Sequence, residues 1–110
     1  MSDLFSLSGA RALITGSSQG IGFALARGLA TAGAKIVLNG RDEDKLDQAA
    51  ETLRAEDADV TTLAFDATEH AAVRTAVDDF ETNTGAIDIL INNAGMQHRT
   101  ELENFPADAF

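Results

Sequence analysis

Apolar residues follow two alternating patterns along the chain. Short runs of consecutive apolar residues are typical of strands that are covered on both faces of a sheet. They occupy residues 12–14, 35–39, 60–65 and 87–91. Between them, apolar residues recur every three or four positions, as they do along one face of a helix. These helical stretches cover residues 21–32, 42–56 and a third segment that Thr68 caps and Gly85 ends.

The order of these elements predicts the fold class. Strand and helix alternate as β-α-β-α-β-α-β, and Asn104, Phe105 and Pro106 are typical of the start of a fourth helix. Right-handed crossovers between such strands predict an α/β fold, a doubly wound parallel sheet with helices on both faces. Ligands of these sheets bind beyond the carboxyl ends of the strands, near the point where the strand order reverses.

The composition is that of one globular domain. The chain has 110 residues, 45% of them hydrophobic, which suffices for a buried core without disulfides or metals. Cysteine is absent, which excludes thiol catalysis and thiolate metal sites and suits the reducing cytoplasm. Residues 1–7 lack a basic region followed by a long apolar run, so neither a signal peptide nor a membrane anchor is expected.

Charge narrows the choice of ligand. Eighteen acidic and eight basic residues give a formal charge of −10, whereas binding to nucleic acid requires a basic surface. Many of the acids lie within residues 42–59 and are interpreted as the solvated face of a helix. An anionic ligand must therefore be held by local donors. His70 and His98 lack the spacing of metal ligands, so no metal site is predicted.

A glycine-rich segment between the first strand and the first helix is the main candidate for such donors. The segment reads Thr15-Gly16-Ser17-Ser18-Gln19-Gly20-Ile21-Gly22. It directs backbone N–H groups and a helix N-terminus toward one point, which favours an anion such as a nucleotide phosphate. Gly16 would allow the tight turn, Gly20 the approach of a pyrophosphate and Gly22 close packing of the helix. The side chains between them add donors. The alternative is a glycine-rich turn that binds nothing.

A second polar cluster, Asn92-Asn93-Ala94-Gly95, follows the fourth strand. Because parallel strands end at the same edge of a sheet, both clusters are expected on one rim. Asparagine carries donors and acceptors, so it can tie strand ends together or contact a ribose. As an isolated turn signal the cluster would mean little, but its pairing with the glycine-rich segment is informative.

Together the two clusters resemble the short-chain dehydrogenase/reductase family, which combines Thr-Gly-x-x-x-Gly-x-Gly with Asn-Asn-Ala-Gly at about this separation. The resemblance covers essentially the whole chain, including Asp66-Ala67-Thr68 after the third strand. It implies a Rossmann fold, with residues 1–110 as the dinucleotide-binding N-terminal part of a single domain that is truncated at the start of the fourth helix. It also implies a tetrameric homo-oligomer for the full-length protein.

The resemblance further implies a set of cofactor-binding residues. The pyrophosphate would lie against the glycine-rich segment, the adenine against Asp66 and Ala67, and the ribose against Asn93 and Gly95. For Asp66 alone, a helix-entry carboxylate is the alternative. The full set is Gly16, Ser17, Ser18, Gln19, Gly20, Ile21, Gly22, Arg41, Asp66, Ala67, Asn93, Ala94 and Gly95.

The residues after the second strand favour NADP(H) over NAD. In NAD-binding folds an acid at this position bonds the adenosine ribose 2′-hydroxyl, whereas a nearby arginine favours the 2′-phosphate of NADP. By alignment with the family, Gly40 occupies the position of the acid, and Arg41 follows it. The alternative is that Arg41 is a surface residue paired with Asp44 or another neighbour.

Several segments are similar to family members that act on sugar acids. They are residues 4–9, 38–41, 95–99 and 105–110. This similarity implies NADP-linked interconversion of gluconate and 5-keto-gluconate, although reductases of 3-oxoacyl thioesters and other polyols share the same N-terminal half. His98 would border the substrate, without a catalytic role.

The family's reaction uses a tyrosine, a lysine four residues after it and a serine. The chain contains no tyrosine, and its only lysines, Lys35 and Lys45, belong to the cofactor half. No catalytic residue is therefore predicted within it. Two hypotheses remain: the N-terminal part of a complete NADP-dependent oxidoreductase, or a non-catalytic dinucleotide-binding module.

Overall fold

The structure is a computed structural model, and it describes residues 6–94. Four strands and three helices alternate along this part of the chain, as the hydrophobic pattern predicts. They are β1 (Arg11–Ile14), α1 (Gly20–Thr31), β2 (Lys35–Gly40), α2 (Glu43–Arg54), β3 (Val60–Ala64), α3 (His70–Asn83) and β4 (Ile89–Ile91). The predicted fourth helix at 104–106 lies outside the described residues.

The four strands form one parallel sheet in the order β3-β2-β1-β4, which confirms the doubly wound arrangement. In register, Ala12 of β1 lies opposite Ile36 of β2 on one side and Ile89 of β4 on the other. The strand order reverses at β1, because the chain moves outward to β2 and β3 and then returns to place β4 on the opposite side. A ligand is therefore expected beyond the carboxyl end of β1.

Alternate residues of the central strands enter two separate hydrophobic cores. Ile14, Ile36 and Leu38 face α1 and α2 and pack among buried residues such as Leu46 and Leu53. Their neighbours Leu13 and Val37 face the opposite side, where they pack against Phe80 of α3. This division explains why the strands read as continuous apolar runs, since both faces of the sheet are covered.

β4 is shorter than the predicted strand at 87–91. The N–H of Ile87 donates to a carboxylate oxygen of Glu81 at 2.8 Å instead of to a neighbouring strand. The carboxylate of Asp88 accepts the N–H of Arg11 at 2.9 Å, at the start of β1. The Asp88 N–H still donates to the Arg11 carbonyl at 2.8 Å, so side chains replace only part of the backbone pairing before Ile89.

The start of α3 also differs from the prediction. The helix begins at His70 with Glu69 as its N-cap residue, so the prediction that Thr68 caps it is wrong. The hydroxyl of Thr68 donates instead to the carboxylate of Asp66 at 2.6 Å. Asp66 accepts both the hydroxyl and the N–H of Thr68 in a turn, so Thr68 belongs to this turn and the helix begins two residues later. By contrast, α2 begins next to Asp42, whose carboxylate accepts two N–H groups of its first turn.

None of the three described helices is long and apolar enough to cross a membrane. Within residues 6–94, no three histidine or acidic side chains are grouped closely enough to hold a metal ion.

Candidate functional site

A cleft of about 340 Å³ opens at the carboxyl ends of all four strands. The segments that follow β1, β2, β3 and β4 each contribute to its walls. The lining residues are Gly16, Ser18, Gln19, Asn39, Gly40, Arg41, Phe65, Asp66, Ala67, Thr68 and Ala94. Seven of the predicted cofactor-binding residues, Gly16, Ser18, Gln19, Arg41, Asp66, Ala67 and Ala94, are among them. The cleft thus lies where parallel sheets of this topology bind ligands.

The turn after β1 depends on the conformation of Gly16. Its φ of +60° lies in the left-handed region, which side chains other than glycine rarely adopt. The Gly16 N–H donates to the side-chain oxygen of Asn39 at 2.9 Å, and the Gly16 carbonyl accepts the amide of Asn93 at 3.0 Å. Both polar groups of Gly16 are thus bound to buried asparagines, and the turn is rigidly attached to β2 and to the segment after β4.

Ser17 supports the turn from inside the protein. Its side chain is fully buried, and its hydroxyl donates to the Ile14 carbonyl at 2.6 Å and accepts the Asn39 N–H at 2.9 Å. Sequence reasoning assigned Ser17 as a side-chain donor to the ligand. The structure commits that hydroxyl to the protein instead, because the residue after Gly16 turns back toward the sheet.

Ser18 and Gln19 face the cleft next to the N-terminus of α1. Gln19 is the N-cap residue of the helix, and its side chain makes no capping hydrogen bond. The first N–H groups of α1 therefore lack a side-chain acceptor, and they add partial positive charge at the cleft. An uncapped helix N-terminus beside backbone N–H groups favours an anionic ligand such as a phosphate.

Gly22 and Asn93 determine how closely α1 approaches the turn. A Cβ atom at Gly22 would lie 2.4 Å from the Gly16 carbonyl oxygen and 2.6 Å from the Asn93 amide nitrogen. The glycine spacing predicts that Gly22 lets the helix pack closely on the sheet, whereas the close neighbours of this position belong to the turn and to Asn93. Neither Gly22 nor Asn93 lines the cleft, and the Asn93 side chain is 1% exposed.

Gly20 and Ile21 also lie outside the lining of the cleft, and Ile21 is 64% exposed. Gly95 lies outside the described residues. The two predicted clusters nevertheless meet as expected, because the hydroxyl of buried Thr15 accepts the Ala94 N–H at 3.0 Å. The ends of β1 and β4 are therefore tied together at the rim of the sheet.

Asp66 and Arg41 form the outer wall of the cleft. A carboxylate oxygen of Asp66 accepts the Thr68 hydroxyl at 2.6 Å and the Thr68 N–H at 2.9 Å. The other oxygen lies 3.8 Å from the Arg41 guanidinium, whose side chain is 75% exposed. The Thr68 hydroxyl, the Thr68 N–H and the Arg41 charge together hold the pKa of Asp66 below its usual value.

Arg41 lines the cleft and contacts Asp66 at its mouth, whereas the alternative interpretation named Asp44 or another neighbour as its partner. An ion pair this exposed contributes little energy, so the guanidinium can turn to an incoming anion at little cost. Arg41 is therefore a cation placed at the cleft and only weakly engaged there.

Four lining residues were absent from the predicted set: Asn39, Gly40, Phe65 and Thr68. Asn39 has the largest structural role of the four, since its buried amide forms hydrogen bonds with the segment after β1 and with the segment after β3. The available signal was a polar residue near the end of the apolar run at 35–39. The sequence indicates Gly40 only as a position without an acidic side chain. In the structure Gly40 also lies next to Ser18, because a Cβ atom there would lie 3.3 Å from the Ser18 hydroxyl.

Comparison with known proteins agrees with this geometry. The family model described as short chain dehydrogenase matches residues 10–110. Over 103 residues, 94% of this chain and 40% of the relative, the chain is 55% identical to gluconate 5-dehydrogenase of Gluconobacter oxydans. It is 43% identical over 106 residues to 5-keto-D-gluconate 5-reductase of Escherichia coli K12, covering 96% of this chain and 42% of the relative.

A solved structure is also similar. It is a gluconate 5-dehydrogenase from Burkholderia cenocepacia in complex with NADP and tartrate, with a TM-score of 0.75 and 56% sequence identity. The alignment covers 80% of this chain and 34% of that chain. The chain therefore spans about two fifths of the length of the curated relatives that it matches.

Proposed function

Since the chain belongs to the short-chain dehydrogenase family, we propose that it is the NADP(H)-binding N-terminal part of an oxidoreductase. One observation carries the proposal. The uncapped N-terminus of α1 and the weakly paired Arg41 face one cleft at the point where the strand order reverses. These groups suit the two negatively charged parts of NADP, its pyrophosphate and its 2′-phosphate.

The pyrophosphate would bind next to Gly16, Ser18 and Gln19. Backbone N–H groups at the start of α1 are the donors, and Ile21 lies beside them in the first turn. Ser17, Gly20 and Gly22 belong to the same site as parts of its framework. Their role is to hold the turn in a shape that accepts an anion, as the buried hydroxyl of Ser17 and the close contact at Gly22 suggest.

The adenosine would bind between the segments after β2 and β3. Asp66 would accept a hydrogen bond from the adenine amino group with its carboxylate, which is ionised near neutral pH. Ala67 would lie beside the ring. Asn93 would act on the ribose region through its bond to Gly16, since its amide is buried. Ala94 lines the cleft. Gly95, outside the described residues, would complete the proposed ribose contact.

The 2′-phosphate would bind Arg41. Gly40 places no carboxylate at the end of β2, and a Cβ atom there would lie 3.3 Å from the Ser18 hydroxyl on the same side of the cleft. Arg41 would then exchange its 3.8 Å contact with Asp66 for a charge-assisted bond to phosphate. NAD lacks the phosphate, so it would gain nothing from this exchange.

For the reaction, we propose interconversion of a sugar-acid alcohol and ketone of the gluconate/5-keto-gluconate type. The names of the relatives from Gluconobacter oxydans and Escherichia coli support this substrate class. When bound, the nicotinamide supplies hydride exchange with the substrate carbon. The chain contains no tyrosine, so the proposal assigns cofactor binding to these 110 residues and proton transfer to groups beyond them. Cytoplasmic location and homo-oligomeric, tetrameric assembly belong to the same proposal.

Arg41→Ala tests the cofactor assignment. Loss of a charge-assisted hydrogen bond costs about 1.5–3 kcal/mol, which corresponds to a roughly 10- to 150-fold rise in the Kd for NADP. The Kd for NAD should not change. Both affinities are measured with the reduced forms, by titration with NADPH and with NADH followed by their fluorescence.

Arg74→Ala is the matched control, because Arg74 is an exposed arginine on α3 and lies outside the cleft lining. It removes the same charge and should leave both affinities unchanged. An unaltered NADP/NAD ratio in Arg41→Ala would refute the assignment. Activity of the complete protein with gluconate, compared with polyols and 3-oxoacyl thioesters, tests the substrate class. Dinucleotide binding without any oxidoreductase activity would favour the non-catalytic module.

A further inference from the structure

We propose that Asn39 is a positioning residue that sets the separation between the two walls of the dinucleotide cleft. One wall is the turn that contains Gly16, and the other is the segment that begins at Phe65. The inference rests on the proposed function, because it concerns how tightly the same cleft holds its ligand. It predicts that Asn39 controls affinity for NADP and NAD alike.

The side chain of Asn39 bonds both walls at once. Its oxygen accepts the Gly16 N–H at 2.9 Å. Its nitrogen donates to the carbonyl of Leu63 at 2.9 Å and to the carbonyl of Phe65 at 3.2 Å. One rigid amide thus spans the distance from the segment after β1 to the end of β3.

The backbone of Asn39 strengthens this connection. Its N–H donates to the hydroxyl of Ser17 at 2.9 Å, and its carbonyl accepts the Ser17 N–H at 2.8 Å. Asn39 is 1% exposed, so water does not compete for these bonds. A buried amide with all its partners satisfied is held in one orientation, whereas an apolar residue there would leave several polar groups without partners.

The amide adds connections near the ends of both strand pairings. The pairing of β1 with β2 ends at Ile14 and Leu38, whereas β2 and β3 stay paired as far as Gly40 and Ala64. Gly16 lies two residues beyond the first pairing, and Phe65 lies just beyond the second. The side chain of Asn39 therefore supplements the backbone bonds at two positions that line the cleft.

The two walls contact parts of the ligand that NADP and NAD share. In the proposed function the turn faces the pyrophosphate and the segment after β3 faces the adenine, whereas the 2′-phosphate of NADP binds Arg41. A change in wall separation should lower both affinities by the same factor. A change at Arg41 should alter their ratio.

Asn39→Ala and Asn39→Asp in the complete protein test the inference. Asn39→Ala removes all three side-chain bonds and should raise the Kd for both NADPH and NADH by roughly tenfold or more, with an unchanged ratio. Asn39→Asp keeps an acceptor for Gly16 but loses the donors to Leu63 and Phe65. Because this variant also places a carboxylate next to Gly40 and Arg41, it should weaken the binding of both cofactors and that of NADPH more than that of NADH, so the equal-factor prediction is tested with Asn39→Ala.

Titration stoichiometry separates positioning from misfolding. A variant that merely folds poorly binds fewer equivalents at the wild-type Kd, whereas displaced walls raise the Kd at full stoichiometry. Asn83→Ala is the control, because Asn83 donates to a carbonyl within α3 and is exposed. It should change neither value.

Hydrogen exchange of the unliganded wild-type protein adds a measurement that needs no variant. The Gly16 amide should be protected before any ligand is added, and rapid exchange there would overturn the inference. Wild-type affinities in Asn39→Ala, or a loss confined to NADPH, would do the same. If the wild-type protein binds neither dinucleotide, the proposed function is wrong. If the wild type binds them and the Asn39 variants bind them equally well, only the inference about Asn39 is wrong.

Discussion

Substitution of Gly22 by alanine should destabilise the protein, although alanine is the better helix former. Gly22 is buried in the first turn of α1. A Cβ atom there would lie 2.4 Å from the Gly16 carbonyl oxygen, 2.6 Å from the Asn93 amide nitrogen and 2.9 Å from the Ser17 Cα. Two of these three atoms belong to the backbone, so a simple side-chain rotation cannot relieve the overlap.

Two opposing contributions determine the size of the effect. Alanine in place of glycine inside a helix gains up to about 1 kcal/mol. Overpacking in a tightly packed region costs about 1–3 kcal/mol, and relief of the overlap would stretch the 3.0 Å bond from Asn93 to Gly16. We expect the second contribution to exceed the first by about 1–2 kcal/mol.

Gly28→Ala is the matched control for this experiment. Gly28 lies in the same helix, and a Cβ atom there would have no neighbour within 4 Å. That substitution should raise the free energy of unfolding by about 0.5–1 kcal/mol, because only the helix preference changes. Urea denaturation followed by circular dichroism measures both variants against the wild type. A Gly22→Ala variant as stable as Gly28→Ala would refute the close-contact argument.

Two further substitutions test individual contacts. Thr68→Val should raise the pKa of Asp66 toward 3.8, because the hydroxyl is the largest cause of its lowering; a ¹³C-carboxyl titration measures it. The carboxylate of Asp66 contributes stability at pH values above 3.8, and this contribution is lost as the pH falls through the lowered pKa of the folded protein. In Thr68→Val the folded pKa lies closer to 3.8, so the contribution should be smaller and should be lost at a higher pH. A pKa of Asp66 that does not change would contradict the assignment. Arg27→Leu should cost about 0.5–1 kcal/mol in urea denaturation, since it removes an exposed pair with Glu56 at 2.8 Å and a contact with the Phe23 ring.

Most of the fold could be predicted because it depends on hydrophobic period. The seven described elements occur where apolar runs and helical stripes predict them, and their bounds differ by a few residues at most. The differences arise where a side chain competes for a backbone or capping position. Glu81 takes the N–H of Ile87, and Asp66 takes the hydroxyl of Thr68. A local pattern does not report such competition.

The site was predictable in outline for a different reason. Glycines at the turn and asparagines after β4 follow local backbone requirements and a recognisable spacing. Asn39 was missed because its three side-chain partners, Gly16, Leu63 and Phe65, are at least 23 residues away in sequence. Ser17 was assigned to the ligand because sequence spacing does not show which way a side chain points.

Residue identity and spacing suffice to predict the alternation of strands and helices, the glycine-rich turn and the family, because each depends on residues that are neighbours along the chain. Three features become visible only in the folded chain: which side chains face the cleft, that Arg41 contacts Asp66 at its mouth, and that one buried amide joins its walls. These arrangements form between segments far apart in the chain. They exist only after the packed sheet brings the strand ends together and excludes water from the bonds between them.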